Sequence, residues 1–172
     1  MAISLGEFAR MLTDAAIANE AEGQGVVKAC KVVQAKAKSY IGSYDHPGNW
    51  GQLAQATQED RARRGFPANE PLLRTGELRD SLKIDAPYRN GAETYGYVYS
   101  ASPIAKYQEL GTVSIPPRPF LSTAAMECEP RVHAILAKAF FEARFREWGV
   151  VSRAVRMTFD AARDLAEDVG EK

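Results

Sequence analysis

Three prolines fall within four residues where the chain reads YQELGTVSIPPRPFL between Tyr107 and Leu121. Proline holds φ near about −65° and has no amide hydrogen, so Pro116, Pro117 and Pro119 rule out a helix interior or a central strand. Gly111, just upstream, marks the left-handed stop of a short helix. The segment is expected to turn, run extended and deliver Phe120 and Leu121 to a core or a partner. Its place in a sheet would be an edge, where missing donors blunt pairing with other chains. It is therefore predicted as the third strand of a small sheet.

The other elements follow from periodicity. Ser4 and Glu7 form a capping-box pattern, and Leu5, Phe8, Leu12 and Ala15 recur at helical spacing, predicting a first helix to about Glu20. Gly23 and Gly25 interrupt it or only weaken it. Val26, Cys30, Val33, Ala37 and Tyr40 then share one helical face, with Lys28, Lys31 and Lys38 opposite. Residues 42–73 show no steady period and form a long loop holding His46-Pro47-Gly48-Asn49 and Arg61, Arg63 and Arg64, with a short helix near 52–63. A connection of this length is expected to be mobile and ordered by a partner.

Thr75 can cap a helical turn through Arg79. Asn90-Gly91 between two alternating runs predicts a β-hairpin whose second strand lines Tyr95, Tyr97 and Tyr99 along one face. Ser102-Pro103 opens a short helix to Leu110. A longer helix over 122–148 carries Val132, Ile135, Leu136, Ala139, Phe140 and Ala143, with Pro130 kinking it or marking a restart. A last helix is expected at 150–169. The order predicts a single α+β domain over 1–172, with N-terminal and C-terminal helices packed on a small antiparallel sheet.

Lysine plus arginine and aspartate plus glutamate number 22 each, and no apolar run approaches a membrane span. A zero formal charge argues against a dedicated nucleic-acid binder. Cys30 and Cys128 lie in apolar helical contexts and are read as buried thiols of a reducing cytosol. His46 and His133 sit beside no carboxylate or thiol at a metal-ligand spacing, and no phosphate loop or nucleophile elbow occurs. No catalytic residue, metal site or cofactor is expected.

A nucleic-acid reading would rest on Lys28, Lys31 and Lys38, on Arg61, Arg63 and Arg64, and on the tyrosine row as a stacking platform. Neutral charge favours the plainer alternative, a solvated helix face and a tyrosine row packed under a helix. An assembly reading has more support, because a rigid tyrosine face and an apolar terminal helix suit interfaces.

The pairing of LLRTGELRDSL, from Leu72 to Leu82, with the proline segment resembles tail-completion or neck proteins of tailed bacteriophages, of the lambdoid tail-component or Mu-like virion-morphogenesis type. Arg74, Thr75, Gly76, Leu78, Ser81, Tyr107, Gly111, Thr112, Pro117, Arg118, Pro119 and Phe120 carry the likeness, which covers the middle third of the chain. Leu110 stands where family members often have an aromatic, and Pro117 where they have a small residue.

The resemblance implies a non-enzymatic virion protein at the head–tail junction, assembled in the host cytoplasm as a hexameric or dodecameric ring. Its neighbours would be the connector or stopper and the tail terminator or tail tube. A tail terminator or another minor tail protein is the nearest alternative, and a cytosolic nucleic-acid-binding protein is the alternative of another class. Interface candidates are Arg74, Thr75, Gly76, Arg79, Tyr95, Tyr97, Tyr99, Tyr107, Arg118 and Phe120. Lys28, Lys31 and Lys38 are the residues placed to touch genome DNA non-specifically in a ring's channel.

Overall fold

The structure, a computed structural model, describes residues 5–91 and 93–145, with side chains between 19 and 143. The elements run α1 (Leu5–Tyr40), α2 (Gln55–Arg63), α3 (Glu77–Asp80), β1 (Leu82–Asn90), β2 (Glu93–Ser100), α4 (Pro103–Leu110) and α5 (Leu121–Phe145). This is an α+β fold in which α1 packs on β1 and on α5. The helix expected at 150–169 and the end of the one expected over 122–148 lie outside the described residues.

The chain divides into two compact units, to which α1, α5 and the hairpin each contribute. One comprises α1 up to Ala29, Ala86–Gly96 and α5 from Pro130, and the other Cys30–Asp85 with Tyr97–Glu129.

In the first unit the two glycines of α1 neither break the helix nor merely weaken it. They are buried, and α1 runs unbroken for 36 residues. A Cβ on Gly25 would run into that of Ala139 on α5, and one on Gly23 would lie 3.2 Å from the Pro87 ring of β1. Glycine costs about 1 kcal/mol in a helix interior, but here it lets neighbouring elements approach closely. Arg89 of β1 donates to Asn19 Oδ1 at 2.6 Å and meets the Glu22 carboxylate at 3.4 Å, fastening the hairpin to α1. Tyr88 and Tyr95 stack across the strands with centroids 5.7 Å apart.

The second unit holds the main core: Ala37, Tyr40, Ile41, Trp50, Leu72, Leu78, Leu82, Ala105, Phe120 and Ala124. Gln34 of α1 donates to the Leu82 carbonyl at 2.7 Å, tying helix to strand. Here two expectations are corrected. Among the described residues the sheet has two strands, and the proline segment is not a third. Its polar groups are spent locally: the Thr112 amide donates to the Ile115 carbonyl at 2.8 Å, and the Arg118 amide to the Gln108 carbonyl at 2.6 Å. With the proline donors gone as well, too little is left for a ladder.

The 42–73 loop is likewise anchored within the unit rather than left to a partner. The Gly42 amide donates to the Pro71 carbonyl at 2.8 Å, closing its ends. The Tyr44 hydroxyl donates to Asn69 at 2.7 Å and accepts from the Leu53 amide at 3.0 Å. Trp50, Leu53 and Leu72 are buried, so the aperiodic stretch supplies core residues from a non-repeating backbone. Leu72 reaches the core at φ 62°, a strained value for a side chain with a Cβ, offset by burying its isobutyl group.

Gly25→Ala separates propensity from packing. Helix propensity alone predicts a gain of up to about 1 kcal/mol; overpacking against Ala139 predicts a loss of roughly 1–3 kcal/mol. A net loss in urea unfolding is the expected result.

Candidate functional site

Two features of the second unit stand out: a buried polar cluster and an exposed apolar stripe. The cluster begins at the 46–50 turn. His46 is buried between two rings, stacked on Trp50 with centroids 3.8 Å apart and edge-on to Tyr40 at 4.3 Å. Its Nδ1 accepts the Gly48 amide at 2.9 Å, so the neutral ring carries its hydrogen on Nε2. Nε2 is enclosed without a hydrogen-bond partner, and the Pro119 carbonyl lies close enough to the ring to favour its cation. Burial holds the imidazole pKa below its ordinary value, against upward pulls from the Pro119 carbonyl, Glu127 and Glu109, while Lys36 lowers it further.

Beside His46, the Tyr40 hydroxyl donates to Glu127 at 2.5 Å and Lys36 pairs with the same carboxylate at 2.8 Å. Burial pushes the Tyr40 phenol up, reinforced by Glu127. Burial also pushes the Glu127 carboxyl up, but hydrogen bonds from Lys36 and Tyr40 outweigh it and hold the group below its ordinary value.

Arg118 is buried with its Nη2 donating to the Gly51 carbonyl at 3.0 Å, and its Nε is enclosed without a partner. Among the described residues it has no ion pair. Next to it the Glu109 carboxylate accepts the Phe120, Leu121 and Ser122 amides at 3.0, 3.1 and 2.8 Å. A carboxylate there satisfies donors left open by the first turn of α5 and complements the helix dipole.

The stripe lies on α4 and just beyond it. Ser102 caps this helix, accepting the Ile104 amide, and Gly111 ends it at φ 74°. A side chain on Gly111 would also come within 2.9 Å of the Ile115 carbonyl oxygen and the Pro117 nitrogen. Ala105 turns into the core while Ile104, Tyr107 and Leu110, three residues apart, are 48%, 53% and 69% exposed; Val113 continues the row.

The sequence-derived interface candidates separate into two groups. Arg74 is exposed and lies over the Phe66 ring at 4.8 Å; Arg79 is exposed beside Asp80. Thr75 is exposed and accepts the Glu77 amide at 3.4 Å, but the N-cap of α3 is the buried Gly76, at φ 90°. Tyr95, Tyr97 and Tyr99 are exposed, so the row does not lie buried under a helix. Phe120 is 1% exposed and Arg118 8%, so in this chain both serve as struts of the core. Gly76, too, is buried and acts on backbone shape. Lys28 and Lys31 face solvent and Lys38 is half-buried. Cys30 and Cys128 are buried and unbridged, and His133 is exposed on α5.

Sequence reasoning missed the His46–Trp50 stack and the Glu109 cap. The stack had a signal, two rings flanking a Pro-Gly turn; the cap had none, because Glu109 acts more than ten residues along the chain. Among the described residues no three His, Cys, Asp or Glu side chains gather to hold a metal, and no helix is long and apolar enough to cross a membrane. No protein-family model, curated protein or solved structure matches the chain.

Arg118→Ala is expected to cost about 1–3 kcal/mol in urea unfolding, by opening a cavity and leaving the Gly51 carbonyl unpaired. The exposed Arg79→Ala should stay within about 0.5 kcal/mol. Glu127 contributes stability above the unfolded carboxyl pKa of about 4.3, and this is lost as pH falls through the lower folded value. Tyr40→Phe removes one of the donors that lower it, so a flatter acid limb in stability against pH is expected.

Proposed function

We propose that this chain is a non-enzymatic assembly protein of a tailed-phage particle, a ring-forming tail-completion or neck component that joins connector to tail. The observation that carries this reading is the stripe Ile104, Tyr107, Leu110 and Val113. Ile104, Tyr107 and Leu110 stand outward at three-residue spacing on a short helix, with Val113 exposed beyond its end, and the helix's opposite side is fastened to the core by Ala105, the Arg118 amide and the Glu109 cap. A surface held rigid loses little side-chain and backbone freedom on docking, which favours association. The residues that carry the likeness to phage neck proteins include Tyr107, Gly111 and the proline segment, the same stretch that forms and supports the stripe.

The supporting residues divide by task. Arg118 and Phe120 keep the proline segment in place from inside, and Tyr107 and Leu110 meet the partner. Arg74 and Arg79, both exposed, are available to carboxylates across a subunit boundary. In a ring, Lys28 and Lys31 are the residues offered to phosphates in the channel.

The paired change Tyr107→Asp and Leu110→Asp tests the reading. It should leave the thermal midpoint unchanged while weakening self-association by on the order of a hundredfold, at about 1.4 kcal/mol or more for each interface side chain. Light scattering after gel filtration reads the mass. In a particle-joining assay the same variant should leave filled heads and free tails apart. Unaltered joining would remove the stripe from the interface, and salt-sensitive retention of the monomer on DNA would favour a nucleic-acid binder instead.

A further inference from the structure

The fold resists protonation of His46 chiefly by burying it, against a favourable Pro119 carbonyl, and the rest of the resistance comes from named neighbours. The ring fills a slot between Trp50 and Tyr40, and its Nδ1 lone pair is occupied by the Gly48 amide at 2.9 Å. A proton can enter only at Nδ1, because the neutral tautomer already carries hydrogen on Nε2. Protonated, Nδ1 would present N–H to N–H at Gly48, and that hydrogen bond would be lost.

The charged groups around the ring leave the cation no counter-ion. From α1, Lys36 repels it, and Tyr40 packs against it at a steep angle with its hydroxyl turned to Glu127. From α5, Glu127 attracts it but is already held by Lys36 and Tyr40. From α4, Glu109 attracts it but is spent on the amides of Phe120, Leu121 and Ser122. Arg118, on the proline segment, adds a second buried cation that binds Gly51, one residue past Trp50. Asp45 adjoins His46 in the chain but is exposed. Stacking on Trp50 offsets part of the cost through a cation–π contribution, without restoring the turn.

We propose that His46 is a pH-sensitive latch: proton uptake at Nδ1 opens the 46–48 turn and frees the 45–51 segment, with Trp50, from the core. The sign follows from the ring being harder to protonate folded than unfolded. Closure is fully favoured above the reference histidine pKa, and is lost as pH falls from there toward the folded value. The opening constant rises by up to about tenfold for each pH unit below about 6.5. The latch is independent of the assembly reading, since it concerns a buried turn and not the stripe.

Trp50 reports on it. Trp148→Phe leaves Trp50 as the sole tryptophan of the two in the chain. In that chain, acrylamide quenching is expected to stay level above about pH 6.5, the histidine reference, and to rise as the pH falls below it. Adding His46→Asn, whose amide oxygen can replace Nδ1 as acceptor but takes no proton, should hold quenching level. Quenching that ignores pH with His46 present, or rises equally in the Asn variant, overturns the latch. If either substitution prevents folding, NMR titration of the ring protons in the unaltered chain decides, the two histidines being told apart by His133→Gln. A His46 midpoint below about 6.5 supports the latch, and one at or above it overturns it.

Discussion

A segment that has surrendered three backbone donors to proline cannot be held by a sheet, so its position must come from elsewhere. Here it comes from two charged side chains working from opposite ends. Glu109 gathers the amides of Phe120, Leu121 and Ser122 at the start of α5. Arg118 reaches in the other direction to the Gly51 carbonyl, while its own amide returns to Gln108. Between them Phe120 is driven to 1% exposure, and the core of the second unit closes around it. Remove these attachments and the proline segment, the start of α5 and the outward face of α4 lose their common frame.

The first unit uses a different device. Gly23 and Gly25 give up helix propensity so that Pro87 and Ala139 can come close to α1. Propensity is a weak local term, and the overlap that a side chain would make outweighs it when neighbours are fixed by other interactions. Arg89, bonded to Asn19 and Glu22, is such an interaction.

Polar groups inside and apolar groups outside are both costly, and the second unit contains both. The inward set (His46, Trp50, Tyr40, Arg118), with the exposed Glu127 bonded to its edge, joins the loop, α1, α5 and the proline segment through directional contacts that a purely apolar core would not specify. The outward set on α4 gains nothing for the isolated chain. A rigid interior under an apolar exterior is the physical content of the assembly proposal, and the His46 turn gives that interior a dependence on acidity.

Much of this was legible in the residue order. Helical spacing located α1 and α5, Asn90-Gly91 located the hairpin, Ser102-Pro103 and Gly111 bounded α4, and alternation put Tyr95, Tyr97 and Tyr99 on one strand face, whose exposure only the fold decided. These are local effects, decided by dihedral preference and by neighbours within a few positions. The fate of the proline segment, the anchoring of residues 42–73, the burial of Arg118 and the service of Gly23 and Gly25 were not legible in that way. Each depends on atoms remote in the chain: Gly51 for Arg118, Glu109 for α5, Pro71 for Gly42, Ala139 for Gly25. Periodicity reports which face of an element is apolar, but only the folded chain decides what that face meets.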